Sequence, residues 1–225
     1  MDVGIVASVR TAIGKFNGKL SSLSAHQLGS SVITELLRRS GVAPAEVSEV
    51  IMGQVLTAAA GQNPPRRAAI GAGLPVEITA YGVNQVCGSG LRAIVLGYQS
   101  IKVGDSRVVI AGGQESMSQA PHAIRLRNGI PIGEGTLVDT MISDGLWDAF
   151  GDIHMGITAE NVANQWKIGR QEQDEFAATS QQRAAAAWNA KRFADEIVPV
   201  KVKERKAEVI FDRDEDIRPD TTAEI

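Results

Sequence analysis

The feature that most constrains the fold is an alternation of short apolar runs with longer segments of helical periodicity in the first half of the chain. The runs of strand length are Val3 to Val6, Val50 to Leu56 with Gly53 as an interruption, Ile78 to Val83, and Val108 to Ala111. Helical patterns separate them at Ser24 to Arg39, at Pro64 to about Gly73, and at Leu91 to Val103. Strands that alternate with helices predict an α/β fold, in which helices pack against a sheet with parallel strands.

The composition is that of a globular protein and disfavours two classes of partner. Of the 225 residues, 44% are hydrophobic, which is enough to fill a core. The net charge of −3 comes from 23 basic and 26 acidic residues scattered along the chain, so a nucleic-acid-binding surface is not expected. The sequence has no signal-peptide pattern and no stretch of membrane-spanning length. We therefore expect a cytoplasmic protein with neither a nucleic-acid nor a membrane partner.

The pattern changes after about Met117. A stretch without sustained periodicity is interrupted by Pro121, Gly129, Pro131, Gly133 and Gly135. Two helices are predicted next, at Thr158 to Lys167 and at Arg170 to about Lys191, and then paired strands at Ile197 to Val202 and Ala207 to Phe211. We divide the chain into a core domain, residues 1–117, and an irregular α+β loop domain, residues 118–225. Because the chain ends in a polar loop, we expect it to stop before a further domain.

The chain contains one cysteine, Cys87, at the junction between a predicted strand and a predicted helix. One cysteine forms no internal disulfide, and the spacing of three histidines predicts no metal site. The unpaired N–H groups and the positive dipole end of a helix N-terminus stabilise a thiolate and can hold a developing oxyanion. The alternative is that Cys87 is a small buried hydrophobic residue, as most free cysteines are.

The surroundings of Cys87 resemble the thiolase family, and so do four other segments. In chain order the matching motifs are Arg10 to Gly14, Gly61 to Pro64, Asn84 to Leu91, Ala111 to Ser118 and His154 to Ala163. Five motifs in the family's order arise by chance far less readily than one. The resemblance implies a layered α-β-α half-core of thiolase type with a mixed or parallel sheet, and the irregular loop domain beside it.

The same resemblance implies a reaction for Cys87. In the family this cysteine accepts an acyl group from acyl-CoA, releases CoA, and passes the acyl group to the α-carbon of a second acetyl-CoA. The product is acetoacetyl-CoA, and the reverse reaction is its thiolysis. The backbone N–H of Cys87 is a candidate oxyanion donor. Acetyl-CoA, acetoacetyl-CoA and CoA are the implied ligands, and no separate cofactor is expected.

Four further residues match pocket positions of the family. His154 and Met155 are expected to line the pocket around the pantetheine and the thioester, although a loop hydrogen bond would also explain His154. Leu146 is expected to contact the pantetheine arm. Ordinary core packing is the alternative for both Leu146 and Met155. Arg218 matches a residue at the nucleotide end of CoA, where a guanidinium suits a phosphate or an adenine plane. A solvated surface arginine is the alternative for Arg218.

The resemblance also carries expectations about chain length and assembly. The His154-Met155 pair is typical of biosynthetic thiolases, which favours acetyl and acetoacetyl groups over long acyl chains. The region from His122 to Met141 resembles the loop through which such thiolases assemble as homotetramers.

Two active-site motifs of complete thiolases are absent from the 225 residues. One is a Gly-His-Pro histidine that deprotonates the nucleophile, and the other is a Cys-x-Gly cysteine that moves the proton on the second substrate. We therefore predict that the chain alone has no meaningful turnover and needs a C-terminal half. The alternatives are a noncatalytic thiolase-like fragment or CoA-binding module, and a 3-ketoacyl-CoA thiolase of broader specificity. A ketoacyl synthase shares the architecture, but the segment from His154 to Asn161 does not fit that family.

Overall fold

The structure is a computed structural model that describes residues 2–130, 132–204 and 207–223, so the expected interruption at Pro131 lies outside the described residues. The helices are α1 (Ala25–Ser40), α2 (Pro64–Gly71), α3 (Ser89–Val103), α4 (Met155–Trp166) and α5 (Arg170–Asn189). The strands are β1 (Arg10–Thr11), β2 (Glu49–Gly53), β3 (Thr79–Val83), β4 (Val109–Gly113), β5 (His122–Ala123), β6 (Val138–Asp139), β7 (Trp147–Asp148), β8 (Ile153–His154), β9 (Ile197–Val198), β10 (Val200–Glu204) and β11 (Ala207–Phe211). No helix in the described ranges is long and apolar enough to cross a membrane.

The centre of the fold is a three-stranded parallel sheet in the order β3-β2-β4. All five residues of β2 are buried, which is why this strand is a continuous apolar run apart from Glu49. The Glu49 carboxylate accepts hydrogen bonds from the hydroxyls of Ser100 and Ser106, the second at 2.8 Å. These bonds compensate the burial of a charged group at the amino end of β2.

Helices cover both faces of this sheet. On one face, Val50 and Met52 pack in a single cluster with Ile33 of α1 and Ala68 of α2. On the other face, α3 approaches so closely that a Cβ added at Gly97 would lie 3.0 Å from Cγ1 of Val109. Alternate residues of a strand point to opposite faces, so each strand contributes to both layers. The predicted α-β-α layering with a parallel sheet is confirmed.

The helix boundaries follow local signals in the sequence. The N–H of Ser24 donates to Oε1 of Gln27 at 2.9 Å, which closes the start of α1. Gly41 ends the helix with a φ of 68°, a conformation that glycine adopts without a steric penalty. Pro64 and Pro65 begin α2, where a missing N–H costs no helical hydrogen bond.

A second hydrophobic cluster joins the two ends of the chain. Its buried members are Ala12, Leu20, Ile197, Val200, Val202 and Phe211. Beside it, Arg10 forms ion pairs with Glu196 at 2.6 Å and with Asp214 at 2.8 Å. The C-terminal strands therefore pack on the segment that precedes α1, and the domain boundary after residue 117 stays a prediction.

One expectation about strands is wrong, and the expected strand pair near the C-terminus is confirmed only in part. Val3 to Val6 is not a strand: Ile5 and Val6 are 82% and 77% exposed, and in the described part of the chain no strand pairs with residues 3–9. A short apolar run becomes a strand only where a sheet edge lies beside it. Ile197 to Val202 is not one strand either. Its first part, β9, pairs in parallel with β1, and only β10 pairs with β11.

Candidate active site

Cys87 lies in the turn between β3 and α3, at the carboxyl end of the parallel sheet. The side chain is exposed, so the alternative of a buried hydrophobic cysteine is wrong. Ligand sites of parallel sheets form at this edge, where the loops that follow the strands converge. A thiol in this position is open to a substrate that approaches from solvent.

The turn that carries Cys87 is short and internally bonded. The N–H of Gly88 donates to the carbonyl of Gln85, and the N–H of Ser89 donates to the carbonyl of Val86, both at 3.1 Å. Val86, the residue before the cysteine, has a φ of 48°, which is unusual for a β-branched residue. Asn84 and Ser89 had no predicted role, although both side chains form hydrogen bonds with the backbone of this turn.

Two strand-terminal glycines let α3 approach the sheet beneath the cysteine. A Cβ added at Gly53, the last residue of β2, would lie 2.5 Å from the nitrogen of Gly90 and 2.7 Å from Cβ of Ser89. A Cβ added at Gly113, the last residue of β4, would lie 3.5 Å from the Cα of Gly90. The first turn of α3 therefore rests on the sheet without intervening side chains.

Glu115 is a further residue for which the sequence predicted no role. One carboxylate oxygen accepts from the N–H groups of Val55 at 2.8 Å and Leu56 at 3.2 Å, and the other is buried without a partner among the described residues. Burial raises the pKa of Glu115, and the backbone donors oppose that shift only in part. The available signal was a carboxylate close to the carboxyl end of β4, with only Gln114 between the strand and Glu115.

The predicted pocket residues Leu146, His154 and Met155 meet in one hairpin. Trp147 of β7 pairs with His154 of β8, so Leu146 and Met155 lie next to the same pair. His154 is the N-cap of α4, and its Nδ1 accepts a hydrogen bond from the N–H of Gly156 at 3.0 Å. In the neutral ring this bond assigns the proton to Nε2, which can then donate to a ligand. The loop hydrogen bond that was the alternative explanation for His154 is therefore present, but it uses Nδ1 and not Nε2.

The hairpin is connected to the end of the sheet. A Cβ added at Gly145 would lie 3.5 Å from Cδ2 of Leu56, so the segment that carries Leu146 packs on the loop after β2. That loop is the one held by Glu115. Glu115 therefore links the carboxyl end of the sheet to the hairpin.

Arg218 lies in a loop that contacts α5. Its side chain is exposed, and its backbone N–H donates to Oε1 of Gln181 on α5 at 2.7 Å. The carboxylates of Asp214 and Glu215 accept from the N–H groups of Ile13 and Lys15, both at 2.7 Å, and hold the loop in place. The position of Arg218 is thus fixed, and both the CoA contact and the surface role stay predictions.

Two cavities of the described residues lie away from these side chains. One of about 1000 Å³ is lined by His26, Arg66 and Arg67, and one of about 320 Å³ lies between β4 and the segment around Arg10. Neither is lined by Cys87, His154, Met155, Leu146 or Arg218. The roles predicted for these five residues therefore stay predictions.

Comparisons with known proteins identify the family of the chain. Residues 3–225 match the model of the thiolase N-terminal domain. The chain is 57% identical to an acetyl-CoA acetyltransferase of Rhizobium meliloti (strain 1021) over 97% of its own length and 56% of that relative. It is 56% identical to an acetyl-CoA acetyltransferase of Paracoccus denitrificans over 98% of its own length and 56% of that relative.

A solved structure matches equally well. The chain superposes on the crystal structure of the Bacillus anthracis acetyl-CoA acetyltransferase with a TM-score of 0.94 and 42% identity. The match covers 98% of this chain and 56% of that one. The chain thus spans little more than half the length of the relatives that it matches. It belongs to the thiolase family and contains the N-terminal domain of that family.

Proposed function

We propose that this chain provides the nucleophile and one wall of the CoA pocket of an acetyl-CoA acetyltransferase. The observation that carries the proposal is the exposed Cys87 on a bonded turn at the start of α3. The relatives named above support acetyl-CoA and acetoacetyl-CoA as the ligands. CoA thioesters are the substrates, and no additional cofactor takes part.

The proposed reaction has two thioester steps. The Cys87 thiolate attacks the carbonyl carbon of acetyl-CoA, the bond from that carbon to the CoA sulfur breaks, and CoA leaves with the proton that Cys87 lost. A second acetyl-CoA then loses a proton from its α-carbon, and this carbon attacks the acetyl group on Cys87. The Cys87 thiolate departs and recovers a proton, and acetoacetyl-CoA is released. The N–H of Cys87 stabilises the oxyanion of the first step.

The pocket wall acts on the thioester and the pantetheine. His154 donates from Nε2 to a carbonyl of the bound thioester, because its Nδ1 is already engaged by Gly156. Met155, 40% exposed, and the half-buried Leu146 present apolar surface to the pantetheine arm. Arg218 binds the nucleotide end of CoA, which suits a planar cation.

The apolar surface of α3 supports the need for a second half. Leu91, Ile94, Val95 and Tyr98 are exposed and recur at helical spacing on one side of the helix. Monomeric proteins rarely expose an apolar stripe of this extent. We assign it to contact with a C-terminal half, which also provides the general base and the second cysteine.

The loop between Pro121 and Met141 supports homotetramer formation. β5 and β6 pair at its base, and Leu126, Ile130 and Leu137 beyond them are exposed. Apolar side chains on a projecting loop are stabilised when another subunit covers them. Preference for acetyl groups over longer acyl chains, and a cytoplasmic location, stay predictions.

Acylation of Cys87 tests the proposal directly. Purified chain exposed to acetyl-CoA is expected to gain the mass of one acetyl group, and Cys87→Ser is expected to gain none. Absence of the adduct in the wild-type chain would favour the noncatalytic fragment or CoA-binding module.

Turnover tests the incompleteness of the site. Acetoacetyl-CoA thiolysis by residues 1–225 alone is expected to stay at the background rate, because the chain lacks the general base. Full turnover without an added polypeptide would contradict this. Turnover restored by a C-terminal half, but equal for longer 3-ketoacyl-CoA substrates, would indicate a thiolase of broader specificity.

A further inference from the structure

We propose that Asn84 and Ser89 are positioning residues for Cys87, and that together they hold the backbone of Val86 in the conformation that directs the thiol outward. The inference rests on the proposed function, since it concerns the same nucleophile. It assigns a role to two side chains that flank the cysteine at three residues before it and two residues after it.

The two side chains bind both polar groups of one residue. Oδ1 of Asn84 accepts from the N–H of Val86 at 2.9 Å. The hydroxyl of Ser89 donates to the carbonyl of Val86 at 2.6 Å. The same hydroxyl accepts from the N–H of Gln85 at 2.8 Å. We call this arrangement of Asn84, Ser89 and the enclosed backbone the Val86 clasp.

The clasp holds a conformation that valine does not adopt readily. The φ of 48° lies in the left-handed region, which is strongly disfavoured for a β-branched side chain. Such a conformation persists only where the surroundings determine it. Without the clasp, Val86 is expected to return to a negative φ, and the direction of the adjacent Cys87 side chain changes with it.

Ser89 connects the clasp to the core. Its side chain is only 4% exposed, and it lies against Gly53 at the end of the central strand. Asn84, in contrast, is exposed and directly follows β3. The turn is therefore fixed from both of its ends, by one residue anchored in the core and by one at the surface.

Helix capping does not explain Ser89. The N-cap of α3 is Gly88, and Ser89 is the first helical residue. A capping hydroxyl accepts from N–H groups further along the helix. The Ser89 hydroxyl is directed the opposite way, to Gln85 and Val86, so its contacts serve the turn with the cysteine.

The test compares Asn84→Ala and Ser89→Ala with the wild-type chain and with Ser100→Ala as the matched control. Ser100 is a hydrogen-bonded serine of the same helix, but it bonds to Glu49 and Ser106 far from the turn. Three rates are measured: acetylation of Cys87 by acetyl-CoA, alkylation of Cys87 by iodoacetamide, and hydrogen exchange at the N–H groups of Gly88 and Ser89.

Both clasp variants are expected to lose about tenfold or more in the acetylation rate, because attack on a thioester depends on the orientation of the nucleophile. Alkylation by the small reagent requires only exposure and is expected to change by less than about twofold. Exchange at Gly88 and Ser89 is expected to accelerate. Ser100→Ala is expected to leave all three rates near the wild-type values.

Acetylation of both clasp variants at the wild-type rate would overturn the inference. So would a parallel loss of alkylation, since that would indicate a change in access to the thiol. If Ser89→Ala does not fold, Asn84→Ala decides, because its exposed side chain takes no part in the core. If the wild-type chain itself is not acetylated, the proposed function is contradicted, and hydrogen exchange at the N–H groups of Gly88 and Ser89 becomes the test of the Val86 clasp. Exchange that is as slow in the variants as in the wild-type chain overturns the clasp. Faster exchange in the variants supports it.

Discussion

The turn that carries Cys87 and the hairpin that carries His154 would act on one substrate, but they are held in place by different means. The turn is seated on the sheet through the close approach of Gly53 to the start of α3. The hairpin is held chiefly by local bonds, such as the one from Nε1 of Trp147 to Asp152 at 2.9 Å. Trp147 itself remains exposed, and so does most of the hairpin.

In the proposed function, the turn carries the reacting thiol and the hairpin forms part of the pocket, so the two parts are stabilised by different contacts. A nucleophile fixed by the core keeps its geometry wherever the sheet is folded, because core packing does not deform gradually. A surface hairpin with few buried contacts opens at lower free energy. We therefore expect perturbations of the sheet to act on Cys87, and perturbations of the hairpin to act on substrate binding.

The largest expected effect comes from Gly53→Ala. The added methyl group meets the backbone of Ser89 and Gly90, which cannot move aside without displacing α3. We expect a loss of about 3 kcal/mol in the free energy of unfolding, as for an overpacked core, measured by urea denaturation. Gly112→Ala is the control, because a Cβ there has no neighbour within 4 Å. Equal stability of the two variants would contradict the seating of the turn on the sheet.

His154→Ala is expected to have a smaller and local effect. It removes the side-chain acceptor that begins α4, at a cost of about 1 kcal/mol. Hydrogen exchange in the first turn of α4 should accelerate, while alkylation of Cys87 stays unchanged. His154→Asn keeps an acceptor and should restore the exchange rates. A change in Cys87 alkylation in either variant would show that the two regions are coupled more tightly than their contacts indicate.

The smallest expected effect is a change in how the free energy of unfolding depends on pH when Glu115, the residue that links the two regions, is replaced. Burial raises its folded pKa above the ordinary value of 4.5. Its contribution to stability is therefore full below pH 4.5 and is lost as the pH rises through the folded pKa. Glu115→Gln should remove this decline, as measured by urea unfolding across that pH range.

Glu35 provides the control of opposite sign. Hydrogen bonds from Arg38 and Arg39 lower its pKa from 4.5 to about 2, so its contribution is present above pH 4.5 and is lost as the pH falls toward 2. Glu35→Gln should therefore flatten the acid side of the stability profile and leave the effect of Glu115 in place. If both variants changed the stability profile in the same way, the upward shift assigned to the pKa of Glu115 would be contradicted.

Much of the half-core was predictable because its signals are local. The helical pattern of α1, the prolines at the start of α2 and the apolar runs of β2 to β4 all correspond to observed elements. The catalytic role of Cys87 was predicted from its neighbours and stays a prediction, while the exposure of its side chain shows that the thiol is accessible. The prediction for Val3 to Val6 failed because a strand depends on a partner that the run itself does not encode.

The sequence by itself determined the order of strands and helices and the family, since periodicity, turn residues and motifs are properties of adjacent residues. Only the tertiary structure decided that Gly53 lies under the cysteine turn, that Glu115 holds the loop after β2, and that Asn84 and Ser89 enclose Val86. The first two relations join residues far apart in the chain, and the third depends on a left-handed backbone conformation. Hydrogen bonds and close contacts of this kind arise from the packed fold, and no pattern along the chain specifies them.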